Sequence, residues 1–152
     1  MNGFEVSFNS PQCGFMSIGL SGPDGEFHTT TANRPHASAL SDLMRILSEY
    51  LEGAEGDRLL KWNRDPEEFD FAFLRDGGDL EIQIFEYPTG DRSAGDGHVV
   101  FQHRGPLGEV CSAFLATFRQ LYEDRETDEF EFNWRQPFPE TAFRTLESNL
   151  RN

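Results

Sequence analysis

The sequence predicts an α+β fold, with a mostly antiparallel sheet of about six strands from two βββα units, two helices on one face and a short C-terminal helix. Three observations carry this. Phe69, Phe71 and Phe73 alternate with Asp70 and Ala72, and beyond the turn Asp76-Gly77-Gly78-Asp79 the residues Leu80, Ile82 and Ile84 alternate with Glu81 and Gln83. That is the period of two half-buried strands in a hairpin. Val99 and Phe101 then mark a further strand, and Val110, Phe114, Leu115, Phe118, Leu121 and Tyr122 recur at helical spacing. Finally, the first third of the chain runs through the same succession of strands and helix.

In that first third, Phe4, Val6 and Phe8 alternate with Glu5 and Ser7 as a strand ending at Asn9-Ser10-Pro11. A second apolar run covers Gly14 to Leu20. Ser21-Gly22-Pro23-Asp24-Gly25 reverses the chain, and Glu26 to Thr31, rich in β-branched threonine, reads as a third strand closed by Asn33-Arg34-Pro35. From about Ser38 to Leu51, Leu40, Leu43, Met44, Leu47, Tyr50 and Leu51 share one helical stripe, and Gly53 is a natural stop. Residues 3–53 and 68–123 therefore match in kind as a pseudo-repeat, for which an internal duplication and chance similarity of two meanders are both adequate explanations. The connector from Glu52 to Asp65 places Leu59, Leu60 and Trp62 either as a short strand or folded over the sheet edge. Pro88 to Gly97 is a long polar loop. In the C-terminal extension, residues 124–152, the alternation of Phe130, Phe132 and Trp134 predicts an edge strand or docked extended segment; Pro137-Phe138-Pro139 ends it. A helix from Glu140 to Leu150 closes the chain, with Phe143, Leu146 and Leu150 on one stripe.

A length of 152 residues corresponds to a single domain, residues 1–152, able to bury roughly two thirds of its unfolded surface. The fifteen phenylalanines imply a core built from aromatic rings. With 13 basic and 27 acidic residues the net charge is −14, a surface that repels phosphate backbones and anionic lipid. Nucleic-acid and membrane partners are disfavoured, and a basic protein is attracted. Cys13 and Cys111, far apart and outside any CxxC pair, read as buried thiols. No stretch has the pattern of a signal peptide or the length of a membrane span, so a cytoplasmic location is expected, as a monomer or homodimer.

Few residues combine into a chemical site. His98 and His103, five apart on one strand, are expected to point to opposite faces, and His28 and His36 lack a partner at ligand spacing, so no metal site is expected. Asp70 or Asp79 with Glu81 is a conceivable Mg²⁺ pair, but a nuclease of that type also needs a nearby lysine and a basic groove. Turn chemistry explains Asp76 to Asp79 better. Cys111 falls between core positions Val110 and Phe114. No Gly-x-Ser-x-Gly elbow is present, and Gly105-Pro106-Leu107-Gly108 is followed by no lysine. That segment reads as a helix entry, with Glu109 at the positive end of the helix dipole. No cofactor is implied. Were there a pocket between sheet and helices, for a small molecule or for catalysis, His98, His103, Arg104 and Cys111 would be its polar candidates.

What stands out is acid beside aromatic residues. Asp65, Glu67 and Glu68 adjoin Trp62; Glu123, Asp124, Glu126, Asp128, Glu129 and Glu131 adjoin Phe130, Phe132 and Trp134. One reading is a solvated face that keeps a small protein soluble. The other is a docking surface for a basic protein, in which carboxylates steer the encounter and the aromatic residues, Trp62 and Trp134 among them, anchor it. The run Trp62-Asn63-Arg64-Asp65-Pro66-Glu67-Glu68-Phe69-Asp70-Phe71, with Gly78-Asp79-Leu80-Glu81-Ile82, resembles small acidic bacterial proteins of the kind that serve as immunity proteins in polymorphic toxin systems. The resemblance spans the middle third of the chain. It implies a non-catalytic protein that binds and neutralises a basic toxin, and it transfers no site residue.

Overall fold

The computed structural model describes residues 3–33, 38–63, 67–88 and 97–151. Its strands are β1 (Glu5–Phe8), β2 (Phe15–Gly22), β3 (Gly25–Ala32), β4 (Gly56–Asn63), β5 (Glu68–Asp76), β6 (Asp79–Tyr87) and β7 (His98–Pro106). The helices are α1 (Ala39–Leu51), between β3 and β4, and α2 (Leu107–Asp124), α3 (Phe130–Trp134) and α4 (Glu140–Arg151), all after β7. The protein is α+β, as the periodicities predict, but its strands form two antiparallel meanders, β1-β2-β3 and β4-β5-β6-β7, in place of one sheet of about six.

The extra strand comes from the connector. Leu60 and Trp62 point inward from β4 and pair in register with Phe71 and Phe69 of β5, so the second unit begins a strand earlier than residue 68. The sheets separate because both have an apolar face and each face finds the other. Phe27 meets Phe69 with ring centroids 5.4 Å apart, Phe8 meets Trp62 at 5.8 Å, and Phe4 meets Phe101 at 6.4 Å. The Trp62 indole N–H donates to the Ala32 carbonyl at 3.3 Å, so the end of β3 reaches β4 through a side chain and not a ladder.

The helices share this inner side. α1 buries Leu40, Leu43, Met44, Leu47 and Tyr50, and α2 buries Val110, Cys111, Phe114, Phe118 and Leu121, the stripes visible in the sequence. Arg75 of β5 fastens the C-terminal end of α1 by donating to the carbonyls of Tyr50 (2.7 Å) and Ala54 (3.1 Å), where a cation also meets the negative end of the helix dipole. The Tyr50 hydroxyl donates to the Gly56 carbonyl at 3.0 Å. α4 lies outside α1 and α2, burying Phe143 and Leu146. The β4–β7 sheet thus has one face against the core and an outer face that is exposed at Leu59, Leu74 and Val99 but buried at Asn63 and Asp70.

At the edge of the first sheet, Phe8 turns its backbone toward α2. Its N–H donates to the Thr117 hydroxyl at 2.6 Å, and that hydroxyl donates in turn to the Phe8 carbonyl at 3.3 Å. Both main-chain groups at the end of an edge strand are satisfied by one buried side chain. Thr117→Val keeps the shape and removes the hydroxyl, leaving both groups buried without a partner. It should cost about 1–3 kcal/mol in a urea unfolding titration. Thr117→Ser should recover most of that loss.

Candidate functional site

The acidic run after α2 forms a corner of the molecule built around α3. Phe130 and Trp134 lie one helical turn apart and both enter the core, so Phe132 between them is turned outward and is 78% exposed. A strand would have put all three on one face; the spacing of four, hidden inside the alternation, is the one that folding uses. Phe130 packs edge-on against Phe138 (5.4 Å), which packs in turn on Tyr122 (5.5 Å) and Phe143 (5.6 Å). Asn33 donates to the Trp134 carbonyl at 2.6 Å and the Gly14 N–H donates to the Asn133 carbonyl at 2.7 Å, tying α3 to the open end of the β2–β3 hairpin.

In the acidic run that contains Phe132, Glu123, Glu126, Asp128, Glu129 and Glu131 are exposed, with Asp124 half-buried. Asp128 accepts from the Ser10 hydroxyl (2.7 Å) and Asp124 from Gln120 (3.1 Å), but among the described residues none of these six is in an ion pair. Elsewhere acids do find cations: Asp42 with Arg45, Glu49 with Arg58, Asp76 and Asp79 with Arg104, Glu147 with Arg119. Within the corner Arg125 is drawn back over the Tyr122 ring, 3.8 Å from its centre, and Arg135 ends α3.

The backbone here is strained. Cys13, Glu129 and Arg135 are the non-glycine residues with positive φ among those described, at 53°, 51° and 68°. Glu129 and Arg135 bracket α3, and Cys13 precedes the Gly14 that binds it. Left-handed conformations of this kind cost roughly 1–2 kcal/mol for a residue with a Cβ, and they persist where the surroundings over-determine them.

The tryptophan anchors expected from the sequence are not on the surface. Trp62 is 0% and Trp134 2% exposed, because each is a large ring placed at an inward position; the Trp62 indole also donates to the Ala32 carbonyl. Glu67 and Glu68 are half-buried at the entry to β5 and both already have interaction partners; Asp65 lies outside the described residues, as does His36. Cys13 is exposed, not buried as the sequence predicted, since its positive-φ turn holds it outside the sheet.

The four candidate pocket residues do not converge. His98 is exposed at the start of β7. His103 faces inward, its ring stacked on Phe4 at 4.4 Å and lodged between Gly22 and Gly105, where an added Cβ at either glycine would lie 3.1 Å from an imidazole nitrogen. Arg104 points to the opposite face and is held by Asp76 (2.9 Å) and Asp79 (3.2 Å). Cys111 is sealed in the core, where burial pushes its thiol pKa up to about 12, against a smaller opposing effect from Arg75. A bulge in β7 opposite Ile84 and Phe85 also reverses the expected alternation, so His98 falls in the same pleat register as His103. Five strand residues still separate them by about 16 Å. No group of three His, Cys, Asp or Glu side chains among the described residues is arranged to hold a metal ion. A groove of about 710 Å³ between α1 and the start of α4, lined by Arg45, Ser48, Phe138 and Thr141, contains none of the four.

No protein-family model, curated protein or solved structure matches this chain. No helix among the described residues is long and apolar enough to cross a membrane.

Two solution measurements check this placement. Under native conditions a thiol reagent should modify Cys13 within minutes and leave Cys111 untouched until the chain is unfolded, so that Cys13→Ser shows no fast-reacting thiol. Burial also holds the His103 pKa below its ordinary 6.5, against the opposing pull of Asp24 and Glu109. As pH falls through about 6.5, the unfolded chain takes up a proton there that the folded chain resists. Stability should therefore decline from that point downward, and His103→Gln should remove this part of the slope in unfolding titrations run between pH 7 and 5.

Proposed function

We propose that the protein is a non-enzymatic binding module whose acidic α2–α3 corner docks a basic protein, with Phe132 as the apolar anchor and Glu123, Glu126, Asp128, Glu129 and Glu131 as the steering charges. The observation that carries this reading is the exposure of the Phe132 ring within an acidic run whose carboxylates make no ion pair among the described residues. An aromatic ring left in water at the tip of a clasped, strained turn contributes nothing to folding. It supplies the desolvating contact on which interface energies concentrate, while the charges of the same run raise the rate of encounter. The clustering of left-handed residues at the same corner supports the reading, since strain kept in place is commonly tied to function. A neutralising role toward a basic toxin, as the resemblance to immunity proteins implies, is the form of this function that we favour. The intact chain would occupy the partner's anion-binding surface and perform no chemistry.

Affinity capture with the intact chain followed by mass spectrometry tests the proposal. The expected result is a basic protein that is retained at low salt and released as ionic strength rises past the range where exposed charges are screened. It should be lost with Phe132→Ala and weakened at least tenfold by Glu126→Gln combined with Glu129→Gln, a change of about 1.4 kcal/mol or more. A partner whose binding ignores both salt and these substitutions would overturn it. Glu129→Gly should separate folding from function, because glycine tolerates the left-handed backbone. Stability should rise by up to about 1 kcal/mol in urea titrations while affinity for the partner falls.

A further inference from the structure

The two sheets treat water differently. On the outer face of β1–β3 the side chains are mostly small or polar, Ser7, Ser17, Ser21, Glu26, His28 and Thr30, with one exposed ring, Phe15, at the start of β2. The outer face of β4–β7 follows the same alternation, yet it presents Leu59 at 54%, Leu74 at 43% and Val99 at 46% exposure, joined by half-buried Ala72 and Phe85. Register makes these one band. Leu59 lies opposite Ala72, Leu74 is the next outward residue on β5, Phe85 is diagonal to Ala72 on β6, and Val99 lies opposite Phe85 on β7. Gln83 and Gln102 fill the middle, within 3.4 Å of each other.

Acid flanks the band. Leu74 has Asp57 opposite it on one neighbouring strand and Glu81 on the other; Glu81 in turn lies opposite Arg104, which is engaged by Asp76 and Asp79, and neither Asp57 nor Glu81 is in an ion pair among the described residues. Asp76 and Asp79 share Arg104 at one end, and Lys61 lies opposite Asp70 toward the other. An apolar centre with an acidic border has the anatomy of an interface core and rim. A second copy of this chain would bring another −14 of charge against it, so self-association is opposed. Nor can an added strand pair with the face, because the main-chain groups of β5 and β6 are used in ladders on both sides.

We propose that this outer sheet face is a second docking surface, and that its occupant is an amphipathic basic helix of another protein. Laid across the strands, a helix rising 1.5 Å per residue spans the three strand spacings from β4 to β7, about 14 Å, in roughly ten residues. Its apolar stripe would bury Leu59, Leu74 and Val99, and lysines or arginines beside the stripe would meet Asp57 and Glu81. The proposal is independent of the α2–α3 corner and would stand if that corner proved inert.

The test uses the full chain and a synthetic helical peptide of about 20 residues, with leucines on one stripe and lysines opposite. Amide chemical shifts should move at Leu59, Ala72, Leu74, Gln83 and Val99. Leu59→Ser combined with Leu74→Ser should weaken binding at least tenfold while leaving the melting temperature near that of the parent, as expected for exposed positions. A peptide of identical composition with its leucines scrambled off the stripe should bind at least tenfold more weakly. Phe132→Ala with Glu126→Gln and Glu129→Gln should change peptide affinity by less than twofold. Shift changes confined to the α2–α3 corner, or binding that ignores the two serine substitutions, would overturn the proposal. So would light scattering showing that the chain alone is a dimer and that Leu59→Ser combined with Leu74→Ser returns it to a monomer.

Discussion

Phe8 is where the two sheets and the longest helix are joined. Its ring touches Trp62 of the second sheet at 5.8 Å and Phe118 of α2 at 5.4 Å, while its backbone is closed by the Thr117 hydroxyl. A four-residue edge strand with only β2 beside it would otherwise expose a row of unpaired main-chain groups. A helix supplies few side chains that can answer both an N–H and a carbonyl, and threonine does so from one atom. Close approach needs small neighbours, which Ala113 and Ala116 provide; the space they leave shows as shallow grooves of about 480 and 470 Å³ on either side of the contact. With β1 committed to α2, the first meander cannot join the second through that edge, and its apolar face covers Trp62 and Phe69.

That commitment explains what could be read from the chain and what could not. Period-two runs at Phe4–Phe8 and Phe69–Ile84, and the helical stripes of α1 and α2, are local signals, and they placed those elements correctly. The hairpin at Asp76–Asp79 pairs across a two-residue loop, as its turn chemistry predicts. Division into two sheets depends on which apolar faces meet, and alternation carries no information about that. α3 was hidden because Phe130, Phe132 and Trp134 satisfy a period of two and a spacing of four at once. Only burial against Phe138 and the bonds to Asn33 and Gly14 select the helical turn. A bulge in β7 likewise changes which residues share a face without leaving a mark in the sequence.

The candidate site follows the same division. Charge is visible in composition, so the acidic run at 123–131 was legible as a feature. Aromatic anchoring was not, because a tryptophan's size makes it the first residue to be drawn inward wherever the fold offers an inward position. Both tryptophans went to the core, and the smaller ring left on the wrong side of a single helical turn remained outside. The signal that distinguishes Phe132 is its offset of two from each of two residues spaced by four, which becomes meaningful once the segment is known to be helical.

Layer order decides how the two exposed surfaces relate. The outer face of β4–β7 looks away from the core, whereas α3 is tied to β2 and β3 on the core's other side. Packed sheets stand about 10 Å apart, and a layer of side chains lies beyond each. One short helix therefore cannot touch Phe132 and Leu74 together. A partner engaging both would have to carry two binding elements on a linker long enough to pass around the domain, and its avidity would then depend on linker length more than on either contact. Two occupants, one for each proposed surface, would need no such linker.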